Sequence, residues 1–510
     1  MVSLHGRSRD LGGSGGAHEL ADVDADADNG GAGRVSWVIL CLLAAAQAMV
    51  ALDVTVVNVA LPAIGDDLYF GPGDLQWVVS VYVLVTGGLL LFGGRLADLL
   101  GARPAFFAGL SLFTLASLTS GVSQTSAVLV ASRAVQGLGA ALLSPAALSV
   151  ITRTYSGAQK AKALGAWGAI ASGGAAVGLL LGGALTTWLG WRWAFFINIP
   201  VGVLVLALGV RLVPRMPTAR GRQQLDVAGG LVGTAALAVT IYGISGAADH
   251  GWLSGRTLGL LAVGLTLLLA FVAVERHVAR PLVPPELWRE RSLAASTVGI
   301  FGATVTLVGA LFLGTFLLGR TMNLSAVATG VAMLPMVVAI AFAAHLGGPL
   351  LDHLGARVAS ALGLVVGAAG ALLLARTPSK ADYVVDLLPG LFLLGFGLGL
   401  TFVTLSVTSM AHIPADRAGS ASGLYMTAHD IGGAFGVAVL STAAAAATTQ
   451  GDALQTLAGQ HRGFLTAGLI TIGFAVIAVL TMPNYRPPAD GSGASGTRRG
   501  GHGHGVHLHG

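Results

Sequence analysis

The sequence has almost no cysteine, little charge and no ATP-binding loop. Its one cysteine, Cys41, has no partner within the chain, so a disulfide framework is excluded. Only 10% of the residues are charged, whereas ordinary globular domains have roughly 25%. No lysine follows a glycine in the 510 residues, so the phosphate-binding loop Gly-x-x-x-x-Gly-Lys-Ser/Thr is absent. If the protein uses energy, an ion gradient is its expected source.

Hydrophobic residues make up 54% of the chain, and its mean hydropathy is +0.78. A soluble core could not hide this much apolar surface, so the expected solvent is lipid. Segments of about 18 or more residues with few charges are candidates for helices that cross a bilayer about 30 Å thick. The fourteen predicted spans are 36–60, 77–96, 104–123, 127–150, 163–188, 194–213, 227–248, 257–275, 295–318, 328–348, 358–376, 386–411, 420–446 and 463–483.

Two short segments, 254 residues apart, are nearly identical. Eight of eleven positions match between GGRLADLLGAR, residues 93–103, and GGPLLDHLGAR, residues 347–357. Each copy lies between two predicted spans, so we interpret both as loops that join membrane helices. A repeated loop indicates a duplicated helical bundle, which is typical of carriers that rock around a central site. Eight spans separate the copies, whereas a duplicated six-helix unit gives six, so two extra helices are expected between the halves.

Lysine and arginine are distributed unevenly between the two sides of the predicted membrane. With the N-terminus in the cytoplasm, the inner loops and both tails hold 21 of the 28 basic residues, and the outer loops hold six. The remaining one, Arg133, falls within a span. Cytoplasmic loops of membrane proteins carry an excess of Lys and Arg. The imbalance therefore predicts a multi-pass protein of the cell membrane with an even number of spans and both termini in the cytoplasm.

These patterns divide the chain into six expected units. They are a disordered N-terminus over 1–34, a six-helix bundle over 35–213, two extra helices over 214–275, a cytoplasmic linker over 276–293, a second six-helix bundle over 294–483, and a disordered cytoplasmic tail over 484–510. The first unit is Gly-rich and polar, a composition typical of disorder. Its counterpart at the other end is rich in Gly and His. Four tail histidines could chelate a metal, but a solvated tail without function is the favoured interpretation.

Four motifs resemble those of one transporter family. LDVTVVNVALPAI, residues 52–64, is similar to a motif at the end of the first helix, and GGRLADLLGAR is similar to the family's loop motif. SRAVQGLGAALLSPA, residues 132–146, resembles the motif with a membrane-embedded arginine, and GWRWAFFINIPVG, residues 190–202, is typical of the fourteen-helix group. Over residues 36–483 the chain thus resembles the major facilitator superfamily, specifically its fourteen-helix drug:proton antiporters. The resemblance implies an all-α membrane fold of two pseudo-symmetric six-helix bundles plus two extra central helices.

The antiporter motif of the fifth span departs from the family pattern. The family carries Gly-Pro before a closing Gly-Gly, but here Leu179 stands in place of the proline. Without the proline no kink is expected, although small residues still permit close helix packing. The glycines of this motif are Gly174, Gly178, Gly182 and Gly183.

Two opposite charges are expected at similar depth in the membrane. Asp53 lies about seventeen residues into the first span, and Arg133 lies about six residues into the fourth. A charge inside a membrane is costly and is by default functional. We hypothesise that the two side chains interact, and that Arg133 holds Asp53 between its protonated and ionised forms so that the carboxylate couples protons to transport. A permanent structural ion pair, or a carboxylate wetted at the membrane surface, is the alternative.

Other polar residues within the spans are candidates for substrate binding. Asp430 lies about ten residues into the thirteenth span, beside His429, and is a candidate to bind a cationic substrate or a second proton. A structural hydrogen bond to a neighbouring helix is the alternative. Asn58, Gln47 and Gln136 are candidates to line the cavity, with packing as an equal alternative.

The repeated loops are candidates for a gate. An acid at a helix end and an arginine beyond the glycine turn can latch neighbouring helices on the cytoplasmic side, and breaking that latch favours inward opening. A charged loop that only sets topology is the alternative. The residues assigned to this gate are Gly94, Asp98, Gly101, Arg103, Asp352 and Arg357.

The sequence and the resemblance together imply a proton-coupled exporter of hydrophobic drugs or antibiotics that works by alternating access. Export of an endogenous secondary metabolite is one alternative, and proton-coupled nutrient import on the same fold is a less favoured one. A membrane enzyme or receptor has no support, since we find no nucleophile motif, no metal-ligand cluster within the spans and no sizeable soluble domain. The expected partners are membrane lipid, protons and the small-molecule substrate. No cofactor, metal or nucleic acid is expected, and the expected state is a monomer.

Overall fold

The chain is built from long helices, and each of the fourteen predicted spans is helical over at least part of its residues. The computed structural model describes residues 16–70, 74–155, 177–214, 227–278, 285–413, 418–446 and 456–486, together with the single positions 159, 163, 174 and 281. Every regular element in these ranges is helical. The all-α fold expected from the composition is therefore found wherever the structure is described.

The helices follow the predicted spans closely. They are α1 (Gly16–Leu68), α2 (Trp77–Leu100), α3 (Ala102–Gly121), α4 (Ser126–Thr154), α5 (Val177–Trp188), α6 (Trp193–Leu212), α7 (Val227–His250), α8 (Gly255–His277), α9 (Arg291–Phe316), α10 (Ala326–Leu354), α11 (Ala356–Leu374), α12 (Leu388–Met410), α13 (Ala418–Ala445) and α14 (Leu457–Thr481). Short π turns, Leu317–Thr321 and Tyr383–Leu387, extend α9 and precede α12. Among the described residues, eleven helices are long and apolar enough to cross a bilayer, and α2, α5 and α13 occupy the other three predicted spans.

The repeated segments are mostly helix and not loops as expected. α2 continues to Leu100 and α10 to Leu354, so only one glycine in each copy leaves the helical conformation. Gly101 has a φ of 93° and Gly355 a φ of 78°, values that residues with a Cβ rarely adopt. The two copies therefore turn the chain by the same means. We call the end of the bundle where these glycines lie the repeat face, and the other end, where α1 finishes and α10 begins, the opposite face.

Matching glycine contacts relate the two halves of the chain. A Cβ added to Gly109 of α3 would lie 2.8 Å from the carbonyl oxygen of Gly139 in α4, and one added to Gly363 of α11 would lie 2.7 Å from that of Gly397 in α12. Small residues permit this approach of helix backbones in membranes. Helices α3 and α4 of the first half therefore pack as α11 and α12 do in the second. This likeness supports the expected division of the chain, which we retain as a proposal.

The two extra helices lie beside the seam between α2 and α13. Thr442 of α13 donates to the carbonyl oxygen of Ile244 in α7 at 3.1 Å. Trp77 of α2 faces Tyr242 of α7 with ring centroids 6.1 Å apart. α8 packs on α7, and much of its surface is exposed, as lipid contact requires. The extra pair thus borders both halves of the chain at one side.

The structure describes the chain from residue 16 to residue 486, with the gaps given above. α1 begins at Gly16, so the segment 16–34, expected to be disordered, is helical here. Its alanines favour a helix, whereas its aspartates and glycines do not. The part of α1 that is apolar enough to cross a bilayer begins at Trp37. Residues 1–15 and 487–510, with the tail histidines, lie outside the described residues, as do residues 279, 280 and 282–284 of the expected linker.

Replacing Gly355 by alanine is expected to destabilise the protein. Its φ of 78° disfavours a side chain, and an added Cβ would lie 2.8 Å from Asn484 Oδ1, so we expect a loss of about 1–3 kcal/mol. Gly348→Ala, seven positions earlier and with open space around the added Cβ, is the matched control. Thermal unfolding in detergent should show a lower midpoint for Gly355→Ala only. Equal midpoints for the two variants would contradict this account of the turn.

Candidate functional site

Asp53 of α1 and Arg133 of α4 are in direct contact inside the first half. The two residues are 1% and 0% exposed, and Nη1 of the arginine donates to Oδ2 of the aspartate. Thr125 caps α4 by accepting from the backbone N–H of Val128 at 3.3 Å, which fixes where that helix begins. The two side chains that we expected to interact are therefore paired.

Two further side chains donate to the Asp53 carboxylate. Gln136 Nε2 lies 2.7 Å from Oδ1, and Asn198 Nδ2 lies 3.2 Å from the same oxygen. Both amides also donate to the Ser117 hydroxyl, at 2.9 and 3.3 Å. We call Asp53, Ser117, Arg133, Gln136 and Asn198 the Asp53 network. It joins α1, α3, α4 and α6, so a change at the carboxylate is felt by four helices.

Contacts with α2 fix the orientation of the Arg133 guanidinium. Its Nε donates to the carbonyl oxygen of Val78 at 2.9 Å, and its Cζ lies 4.1 Å from the centre of the Tyr82 ring. An arginine over an aromatic face is attracted by the ring's negative charge distribution. Nη1 also donates to Gln136 Oε1 at 2.8 Å. Because a buried charge that loses its partner is strongly destabilising, these contacts let Arg133 persist inside the membrane.

Two members of the Asp53 network were not predicted from the sequence. Asn198 is the asparagine of the GWRWAFFINIPVG motif, so an amide within an apolar span was an available signal. Ser117 had no such signal, because serines are common in these spans and their hydroxyls usually bond to their own helix. Only the packing of α3 against α4 and α6 brings this hydroxyl to the amides of Gln136 and Asn198.

The other polar candidates on α1 lie outside the Asp53 network. Asn58 is fully buried, and its Nδ2 donates to the carbonyl oxygen of Val54, one turn earlier in the same helix, at 2.8 Å. Gln47 Oε1 accepts from the Ser144 hydroxyl of α4 at 3.1 Å. Both contacts are of the packing kind that we gave as the alternative, so neither residue gains support as part of a cavity.

Asp430 and His429 lie at the seam between the halves. The His429 Nδ1 and Asp430 Oδ1 atoms are 2.9 Å apart, and the side chains are 37% and 25% exposed. A Cβ added to Gly87 of α2 would lie 2.6 Å from the Asp430 Cβ. The absent side chain at this glycine thus lets Asp430 pack on α2, the helix whose Tyr82 holds Arg133. One helix therefore contacts the Asp53 network and the acid of the second half.

The arginines of the repeated segments bind helix ends within their own halves. Arg103 donates from Nε to the carbonyl oxygen of Val213 at 2.9 Å and from Nη2 to that of Val210 at 2.6 Å. Arg357 donates from Nε to the carbonyl oxygen of Met482 at 2.8 Å. Val213 and Met482 directly follow α6 and α14, the last helices of the two halves, whose final carbonyls lack partners in the helix. Each arginine therefore caps its own half, a contact that we did not predict.

The structure gives less support for the remaining gate candidates. Asp352 is exposed, and the side chain of Asp98 is not among the side chains that the structure describes. A Cβ added to Gly94 would be in ordinary contact with Pro145 of α4, at 3.7 Å. The gating role assigned to the repeated segments thus stays a prediction, and their arginine contacts favour holding each half rigid.

Three glycines of the antiporter motif pack on α1. An added Cβ at these positions would meet Ala51 from Gly174, Thr55 from Gly178 and the backbone of Val56 from Gly182. The three residues met, Ala51, Thr55 and Val56, flank Asp53 along α1. The motif therefore places α5 directly against the segment that carries the carboxylate, as close packing through small residues implies.

Helix α5 also contacts the second half of the chain. A Cβ on Gly183 would lie 2.6 Å from the carbonyl oxygen of Ala326 in α10, and one on Gly330 would meet the carbonyl oxygen of Leu179. Leu179, which replaces the family's proline, is fully buried at this contact. α5 and α10 thus meet backbone to backbone at the opposite face.

Comparisons with known proteins agree with this arrangement. A family model described as Major Facilitator Superfamily matches residues 43–437. A puromycin resistance protein from Streptomyces alboniger is 37% identical over 473 residues, covering 90% of this chain and 94% of that protein. A cephamycin export protein from Amycolatopsis lactamdurans is 38% identical over 447 residues, covering 87% and 91%. The solved structure of a peptide transporter has a TM-score of 0.61 at 16% identity, covering 86% and 93%. At that identity it shows a shared fold, which confirms the expected fold class.

Replacing Asn198 by leucine is expected to weaken the Asp53 network. The variant removes one donor to a buried carboxylate, so we expect a loss of about 1–3 kcal/mol of stability. Val203→Leu, on the same helix but 54% exposed, is the control and should change little. The thermal midpoints of both variants in detergent test this. A midpoint for Asn198→Leu equal to that of the control would contradict a stabilising role for the amide.

Proposed function

This chain belongs to the Major Facilitator Superfamily as a drug efflux transporter, and we propose that proton binding at Asp53 drives its export cycle. Its family and relatives are transporters, so the chain is not an enzyme. It is a multi-pass membrane protein that contacts lipid and a small-molecule substrate. The puromycin resistance and cephamycin export proteins support antibiotic-like compounds as cargo and favour export over nutrient import.

The proposed orientation puts the repeat face in the cytoplasm. The supporting observation is the charge imbalance, since 21 of the 28 basic residues then lie on the cytoplasmic side and six lie outside. Both termini are cytoplasmic in this arrangement, and we propose that the protein acts as a monomer. The opposite face is then the side from which cargo leaves.

The observation that carries the coupling proposal is the burial of a carboxylate among donors inside a membrane protein. Asp53 accepts from Arg133, Gln136 and Asn198. A proton that binds one carboxylate oxygen removes the negative charge that holds Arg133, so the guanidinium then depends on Gln136 and on α2. The contacts among α1, α2 and α4 therefore differ between the two protonation states, and that difference can bias a conformational equilibrium.

A proton that crosses the membrane potential releases enough free energy to drive efflux. One elementary charge that crosses 100 mV releases about 2.3 kcal/mol, which corresponds to roughly a fifty-fold concentration ratio. If one proton is exchanged for one monovalent cation, the membrane voltage contributes nothing and the pH difference alone drives export. The charge on the cargo thus decides which part of the gradient is used.

Asp430 is the proposed contact for the positive charge of cationic cargo. It is one-quarter exposed, so it is accessible where the Asp53 network is closed off. Asp430 of α13 packs on Gly87 of α2, the helix that holds Arg133. Cargo bound at Asp430 and a proton bound at Asp53 would then act on the same helix from its two sides, as exchange requires.

The coupling proposal predicts that Asp53→Asn abolishes proton-driven export. The asparagine keeps the size of the side chain but cannot take up a proton, so transport driven by a pH gradient should fall at least about ten-fold. The assay is puromycin uptake into everted vesicles with an imposed pH gradient. Asp67→Asn, an acid at the end of the same helix that is half-exposed, is the control. Full proton-driven uptake by Asp53→Asn would overturn the role of this carboxylate.

The cargo proposal predicts that Asp430→Asn affects compounds according to their charge. We expect export of the cation ethidium to fall several-fold more than export of neutral chloramphenicol, because only the cation gains from a nearby carboxylate. His429→Gln, which removes the neighbouring ring but leaves the acid, is the control. A uniform loss for both compounds would instead identify Asp430 as a structural residue.

A further inference from the structure

An ion pair at the opposite face joins the two halves of the chain. Asp66, near the end of α1, pairs with Arg320, which lies in the π turn after α9. Nη2 of the arginine also donates to the carbonyl oxygen of Pro62 in α1 at 3.0 Å. The two side chains are 61% and 29% exposed. Arg320 lies between the predicted spans 295–318 and 328–348, and its partner is a finding of the structure.

The ion pair lies beside a close contact between the backbones of the two halves. The backbone N–H of Val327 at the start of α10 donates to the Thr187 hydroxyl of α5 at 3.2 Å, next to the approach of Gly183 to Ala326. A cavity of about 200 Å³ lies among α1, α5, α9 and α10. Its wall includes Asp66, Arg320 and Thr329, the last being 2% exposed. Thr329 is therefore shielded in this state, and the ion pair forms part of the wall of a partly open cavity.

A second ion pair, one residue further along α1, stays within the first half. Asp67 accepts from Arg192 Nη1 at 2.7 Å and from the Trp191 indole at 3.0 Å. Its acid and base are 47% and 39% exposed, so exposure is similar in the two pairs. Adjacent aspartates thus make comparable ion pairs, but only that of Asp66 crosses between the halves.

We propose that Asp66 and Arg320 form an exit latch that holds the opposite face closed and breaks each time cargo leaves. This inference rests on the proposed orientation, in which the opposite face is the outer one. An ion pair with exposed partners contributes little stability, so it can break in every cycle without trapping the carrier. The π turn that carries Arg320 supports the assignment, since such distortions are frequent at functional sites. The latch residues touch neither the Asp53 network nor Asp430, so they act on conformation alone.

The test measures access to the cavity from outside. Cys41 is replaced by serine, and Thr329→Cys supplies a reporter in the cavity wall, with Thr186→Cys as a second reporter in a separate variant. Labelling by a membrane-impermeant maleimide on intact cells should be slow. Asp66→Asn or Arg320→Gln should raise the labelling rate several-fold, and the exchanged pair Asp66→Arg with Arg320→Asp should restore the slow rate. Asp67→Asn should leave the rate unchanged.

The outcomes separate the latch from the coupling proposal. Labelling needs neither drug nor a pH gradient, so it reports the latch even if Asp53 carries no proton. Labelling of the Asp66 and Arg320 variants at the parent rate would overturn the latch, as would an equal increase with Asp67→Asn. A rate increase seen only in everted vesicles would place the opposite face in the cytoplasm and overturn an exit latch. Loss of transport in the Asp53 variants would leave each of these results unaffected.

Discussion

The contact between Asp53 and Arg133 is the constraint on which the first half depends. Two charges in a membrane interior are tolerated only when each is paired and hydrogen-bonded. Gln136 and Asn198 supply further donors to the carboxylate, and Ser117 accepts from both amides. These contacts come from four helices, so the ion pair also fixes the register between them. A change in the charge of Asp53 would therefore alter contacts among all four helices.

α2 is the element that connects this ion pair to the rest of the molecule. Tyr82 and the carbonyl of Val78 hold the guanidinium on one side, and Gly87 admits Asp430 on another. The neighbouring Gly88 lies against Thr234 of the extra helix α7, with an added Cβ 3.0 Å from its hydroxyl. The extra pair of helices thus supports the helix on which both acids act.

The span positions and the Asp53–Arg133 pair were predictable because each follows from a local rule. A bilayer demands about twenty apolar residues in a row, and a charge inside such a run demands a partner. Contacts between helices distant in the chain obey no such rule. Ser117 and the crossing of Asp66 to Arg320 therefore emerged only from the packing of the helices. Helix capping by Arg103 was missed for the same reason, because the end of α6 lies more than a hundred residues away.

Proton release on drug binding tests the central claim most directly. If cargo and proton compete through one buried carboxylate network, adding puromycin to purified protein in weakly buffered detergent should release up to one proton per bound drug. Saturable puromycin binding with no proton released at any pH would contradict the account.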